Sequence, residues 1–209
     1  MPAVRILCVA VALVLLGVTG CQSDVSGQPE PDGDGFVVKD GSRLRFRPVL
    51  TELPPSPPGP ATGSTANRQS ADPAEQQAIA TALDCSKGPD PLDGRDDPAL
   101  PLITCDRVQG TKYILGPAFL TGADLSKAKA QLDTQSGGTI IGLSFTPAGA
   151  RTWGEWTAAN VGKQVAMVLK SRVLTAPTIQ SAITGGETQI TGKFTLDEAR
   201  QLARDIAGG

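Results

Sequence analysis

The chain has 209 residues, enough for one ordinary domain or two small ones, and contains no histidine, which removes Ser-His-Asp triads, Cys-His pairs and most zinc sites. Its net charge is −2 and its aromatic content 4%, so there is neither a basic field nor a set of stacking rings for nucleic acid. Twenty-four glycines and 17 prolines are the other departure from the ordinary, and 13 of those prolines fall between Gln22 and Gly110.

Residues 1–20 carry one charge, Arg5, followed by an apolar run from Ile6 to Leu16. That is the layout of a secretory signal, and the run is shorter than the roughly 20 apolar residues of a membrane span. It ends in Val18-Thr19-Gly20-Cys21, which resembles a bacterial lipobox. The resemblance implies cleavage before Cys21, a diacylglyceryl thioether on its sulfur and an acylated amine. The competing reading is an ordinary signal peptide that happens to contain a cysteine. Gln22 to Gly35 is polar and rich in Pro and Gly, a tether by composition. With Cys8 in the leader and Cys21 lipidated, Cys85 and Cys105 remain, and a disulfide is the simple reading in an oxidising compartment. The metal alternative lacks ligands, because two sulfurs without histidine do not complete a zinc shell.

Phe36-Val37-Val38 and Leu44 to Leu50 read as short strands, with a turn at Asp40-Gly41. In the second strand, Leu44, Phe46 and Pro48 share one face and Arg45, Arg47 and Val49 the other. Pro54 to Asp72 is a Pro-rich and then polar spacer. Ala74 to Leu83 reads as a helix with Pro73 in its first turn. Ser86 to Thr104 holds four prolines and little periodic apolar sequence, a loop to be stapled by the disulfide.

Beyond Gly110, strand and helix signals alternate. Lys112 to Leu115 reads as a strand, Thr121 to Leu132 as a helix on the spacing of Leu125, Ala128 and Leu132, and Thr139 to Phe145 as a strand. Thr146-Pro147 opens a helix to about Val161. Strands follow at Gln164 to Leu169, from Val173, where Pro177 interrupts, and at Gln189 to Phe194. Thr195-Leu196-Asp197-Glu198 is a capping box for a last helix that Gly208-Gly209 ends. The pattern predicts an α+β fold, a mixed or antiparallel sheet with helices packed on one face, preceded by a Pro/Gly-rich, partly disordered region.

Candidate chemistry is sparse. Gly137-Gly138 and Gly185-Gly186 sit outside any phosphate-binding pattern and read as turns. Ser144 lacks a nucleophile elbow. Asp93, Asp96 and Asp97 form an acidic cluster without calcium-loop spacing, which reads as a solvated loop. Trp153 and Trp156, three apart on one helix with Glu155 between them, form either a peptide-binding platform or a face packed on the sheet. No catalytic residue, metal ligand or cofactor site stands out.

Several segments, taken together, resemble a known family. Lys112-Tyr113-Ile114-Leu115-Gly116-Pro117-Ala118, Leu120 to Leu125, Leu143 to Pro147, Ala158 to Ala166, Val173 to Pro177, Gly185-Gly186 and Ile190 to Thr195 resemble, in order, the head subdomain of the first extracytoplasmic domain of SecD. The resemblance is continuous over about residues 112–207. Phe46-Arg47-Pro48-Val49 and the two cysteines are similar to the same domain in some bacterial SecD proteins. SecD is a polytopic membrane partner of the Sec export channel. The resemblance implies an extracytoplasmic, non-catalytic module, here a lipoprotein without the transmembrane half, whose partners are exported polypeptides or Sec translocase components. An envelope lipoprotein that has reused the fold for another ligand or surface partner is the alternative. The expected organisation is 1–20 leader, 21–35 tether, 36–110 loose base-like segment and 111–209 head-like domain, held on the outer face of the cytoplasmic membrane. One departure is local: the family's hairpin usually turns on Asp-Gly, and this chain has Lys170-Ser171, a poor pair for positive φ.

Overall fold

A computed structural model describes residues 35–39, 43–55, 57, 67–86, 90–134 and 137–208. The leader, Cys21, nearly all of the tether, the Asp40-Gly41 turn and most of the Pro-rich spacer lie outside the described residues.

Among the described residues, ten strands and three helices run in the order β1 (Phe36–Val37), β2 (Leu44–Leu53), α1 (Pro73–Ala82), β3 (Leu102–Cys105), β4 (Lys112–Leu115), β5 (Leu120–Thr121), β6 (Leu125–Leu132), β7 (Thr139–Phe145), α2 (Pro147–Ala159), β8 (Val165–Leu169), β9 (Arg172–Thr175), β10 (Glu187–Thr191) and α3 (Leu196–Ala207). They form an α+β fold with two antiparallel sheets. One has the order β1-β6-β7-β10, with α3 lying against β6, β7 and β1. The other has the order β3-β4-β2-β8-β9, with β5 beside β2.

The second sheet curls until its ends meet. Asp106 bridges Val173 in parallel, Arg107 N–H donates to Val173 O at 3.1 Å, and Thr104 Oγ1 donates to Ser171 O. Closure hides two edges that would otherwise attract other strands. Leu102, Tyr113, Leu115, Ala166, Val168 and Val173 pack together on its inner face. Its outer face meets α1 through Ile103 and Ile114, and meets the first sheet through Leu44, Phe46, Val165 and Met167. The boundary expected near residue 110 does not separate two packed bodies. β1 pairs with β6 and β2 with β8, so residues 36–53 contribute to both sheets.

The helix expected over Thr121 to Leu132 is a strand. Thr121 and Asp124 do form a capping box, but for one 3-10 turn (Gly122–Asp124). β6 then pairs with β7 along its whole length, with a bulge between Leu125 and Lys127. The extra residue brings both Leu125 and Ala128 to the core face, and this three-residue step imitates helical spacing. β3 begins within the segment expected to be a loop, where Pro98 and Pro101 stand just ahead of the short buried run Leu102–Cys105. The helix starts hold: Thr146 Oγ1 accepts from Gly149 N–H, and Thr195 and Glu198 cap α3, which ends on Gly208 at φ 90°.

A buried polar network locks the 90–100 loop onto the curled sheet. Arg47 is 0% exposed. It donates to Asp96 Oδ2 at 2.7 Å and to the carbonyls of Leu100, Asp97 and Gly116 at 2.6, 3.0 and 2.9 Å. Burial pushes its pKa down, and the hydrogen bond and charge of Asp96 oppose that shift. Asp96 Oδ1 accepts from Ser171 Oγ at 2.7 Å, and Ser171 Oγ accepts from Gly94 N–H at 2.8 Å. Lys170 and Ser171 do form the two-residue hairpin turn, both at positive φ (51° and 60°). That strain, about 1–2 kcal/mol per residue, is offset by the network holding Ser171. Asp96, expected in a solvated cluster, is thus a buried ion-pair partner, whereas Asp93 and Asp97 are exposed.

Replacing Arg47 by Met strands the buried Asp96 carboxylate and should cost about 3–5 kcal/mol in urea unfolding. Adding Asp96→Asn should restore much of that loss; a small effect of the single change would contradict the pairing. Tyr113, the one tyrosine of the chain, is pushed up to about 12 by burial, with Glu52 and Asp106 adding to the shift. The folded state therefore favours the neutral phenol, and stability should fall as pH rises from about 10, the unfolded value, through 12. Tyrosinate absorbance should show a midpoint near 12 in the folded chain, and a midpoint near 10 would place the ring in solvent.

Candidate functional site

Trp153 presents no surface to a ligand. It is 0% exposed, wedged among Phe46 of β2, Phe145 of β7 and Phe119, with ring centroids 5.4–6.2 Å apart. Trp156 is half-buried and stacks on Phe119 at 4.2 Å. The pair therefore helps seal the junction of the two sheets, and only the Trp156 rim reaches solvent. Glu155 is exposed. Ser144 Oγ lies 3.4 Å from Glu187 Oε1 across neighbouring strands. Cys85 and Cys105 form a disulfide, tying the end of α1 to β3 across a Cα–Cα distance of 5.7 Å. A closed loop of this size contributes about 3 kcal/mol in the chain-entropy account.

The accessible features converge on β10. Among the described residues it is the last strand of its sheet, paired with β7 on one side only. Glu187, Gln189 and Thr191 are exposed on it and Ile190 is buried, so the strand is anchored by one apolar residue while no described strand pairs with its other edge. It has no proline or bulge of the kind that commonly blunts an edge.

Two depressions flank this strand. One, of about 590 Å³, lies on the sheet face away from α3 and is lined by Lys127 and Lys129 of β6, Gly142 of β7 and Glu187 and Gln189 of β10. Gly142 makes its floor. A Cβ there would meet its nearest atoms, from Gln131 and Lys129, at 3.7–3.9 Å, which is ordinary contact, so the backbone does not demand glycine and its absence of a side chain keeps the floor low. The second, of about 550 Å³, opens at the end of β10 between α3 and the β3–β4 turn, over an apolar floor of Leu174, Phe194 and Leu202. Val108 stands on its rim, 86% exposed. The turn carrying Val108 is rigid, because Asp106 Oδ1 accepts from the N–H groups of Val108, Gln109 and Gly110 at 2.7–3.1 Å. On the opposite rim, Glu198 is held below the usual carboxylate range by its bonds from Thr195, with a smaller contribution from Arg107.

Sequence reasoning placed β10 two or three residues too late and did not single out its edge, Gly142 or Val108. A glycine in the middle of the strand Thr139–Phe145 was the available sign of an open floor.

The family described as SecDF, P1 head subdomain, matches residues 101–209, more than half of the chain. The protein translocase subunit SecD of Mycobacterium tuberculosis is 42% identical over 123 residues, which is 57% of this chain and 22% of that protein. The subunit SecDF of Thermus thermophilus is 47% identical over 95 residues, 46% of this chain and 13% of that protein. A crystal structure of SecDF in a super-membrane-facing form aligns at 34% identity with a TM-score of 0.47, covering 81% of this chain and 19% of that one. A structure of a SecDF membrane component described as enhancing protein export aligns at 32% identity with a TM-score of 0.46, covering 85% and 64%. The chain spans about a fifth of the length of the SecD it matches. By the extent of the family match, the chain belongs to the SecDF P1 head family.

Proposed function

We propose that this chain is a non-catalytic, lipid-anchored module on the outer face of the cytoplasmic membrane that binds extended polypeptide during protein export, beside the Sec translocase. The observation that carries the reading is the unpaired edge of β10 between two depressions. An open edge offers main-chain donors and acceptors to any extended chain regardless of sequence, and neighbouring depressions receive alternate side chains. Membership in the SecDF P1 head family supports the link to export. Anchoring rests on the lipobox-like Val18-Thr19-Gly20-Cys21, with Cys21 as the lipidated residue. A sequence without histidine, and so without a Ser-His or Cys-His pair, supports the non-catalytic reading.

A photo-reactive residue at Gln189 in intact cells should capture exported precursors or Sec translocase components. The same probe at Val161, exposed beyond the end of α2, is the comparison. Gly142→Thr should leave the fold intact and lower the capture at Gln189. Equal capture at the two positions, or capture of neither class of partner, would overturn the reading.

A further inference from the structure

The Cys85–Cys105 disulfide is built asymmetrically. Cys105 is 3% exposed within β3, whereas Cys85 lies past the end of α1 and is partly exposed. A cavity of about 450 Å³ opens onto Cys85, between Pro55, Pro57, Ser86 and Gln109, and Cys105 is not among its lining residues.

The electrostatic surroundings differ as well. Lys112 stands directly opposite Cys105 in the β3–β4 pairing. Opposite residues of an antiparallel pair share a face, with Cβ atoms about 5 Å apart. Lys112 is itself buried, 1% exposed, and its Nζ donates to Thr81 O in the last turn of α1 at 3.2 Å. Burial lowers the Lys112 pKa and Asp84 opposes that shift, as a further anion beside the ammonium would. The other charged neighbours in sequence are two carboxylates. Asp84 precedes Cys85 and opposes negative charge there. Asp106 follows Cys105, and its Oδ1 is occupied by three backbone N–H groups.

Thiol–disulfide exchange needs a thiolate to reach one sulfur while the other leaves with the electron pair, and a stabilised leaving thiolate departs faster. We infer that Cys85 is the exchange sulfur, and Cys105 the leaving and resolving sulfur, of a thiol–disulfide exchange site whose reactant is a dithiol. In the opening direction, one thiolate of the reactant attacks Cys85 Sγ. The Cys85–Cys105 bond breaks and its electron pair passes to Cys105 Sγ, where the thiolate forms beside the Lys112 ammonium. The second thiol of the reactant then loses its proton and attacks the reactant's own sulfur in the mixed disulfide. Cys85 is released as a thiolate and takes up that proton. The dithiol is oxidised by two electrons to its disulfide, and the protein disulfide becomes the Cys85 thiol and the Cys105 thiolate. Closing runs the same steps backwards, with the Cys105 thiolate displacing the reactant from Cys85. Opening frees the end of α1 from its covalent tie and leaves the Lys112–Thr81 hydrogen bond in place.

The test treats the folded full chain briefly with reduced glutathione, a single thiol with no second sulfur to displace Cys85 from the mixed disulfide, followed by acid quenching to trap the adduct and peptide mapping, which separates these cysteines from Cys8 and Cys21. Glutathione should be found on Cys85 with Cys105 free, in an excess of about tenfold or more, as burial and leaving-group stability both act in this direction. Adducts on Cys105, or an even division, would overturn the inference. Lys112→Met should slow opening by dithiothreitol about threefold or more, with Lys112→Arg close to the parent rate. Because Lys112→Met also removes a tie to α1, Cys85→Ser supplies an independent reading. In that variant the pH profile of Cys105 alkylation should have its midpoint below the free-thiol value of about 8.5, and a midpoint at or above it would overturn the assignment.

Discussion

One buried guanidinium carries much of the architecture. Arg47 reaches from the inner face of β2 to Asp96 and to three backbone carbonyls that lie 50 to 69 residues away in sequence. No apolar side chain could hold those carbonyls, and without them the 90–100 loop would have buried acceptors to satisfy elsewhere. Through Asp96 the same network holds Ser171, and with it the positive-φ turn that joins β8 to β9. That turn brings Ser171 within reach of Thr104, where the curled sheet meets itself. Its neighbour Phe46 points the other way, into the aromatic junction with Phe145 and Trp153. Two successive residues of one strand thus secure the closure of one sheet and its attachment to the other.

How much of this was legible depended on the range of the interaction. α2 and α3 were readable because their signals are local: a threonine cap, a proline in the first turn, a capping box, a glycine at positive φ. The disulfide followed from counting cysteines. β6 was misread because a bulge gave a strand a three-residue apolar step, and only its pairing with β7 distinguishes the two. Asp96 was indistinguishable from Asp93 and Asp97 in sequence, since what buries it is an arginine 49 residues earlier. The Lys170-Ser171 turn looked unsuited to positive φ because its compensation also comes from that distant loop.

The surface around β10 was the least legible part, for the same reason. An open edge is a property of the whole sheet order, and no local pattern marks Glu187 to Thr191 as terminal. Once the order β1-β6-β7-β10 is known, the flanking depressions have physical meaning: one is floored by a glycine and the other by apolar side chains, and both border the same strand. A rigid scaffold with an unpaired edge suits capture of chains that share a backbone but no sequence. The curled sheet, by hiding its own ends, leaves β10 as the long accessible edge among the described residues.

Amide hydrogen exchange along β10, with and without a saturating unfolded polypeptide, tests this account most directly. Strand addition predicts slower exchange at alternate amides between Glu187 and Thr191, those that face away from β7, with the rest of the sheet unchanged. Binding that leaves the β10 amides exchanging at their free rate would contradict the central claim that the open edge is the recognition element.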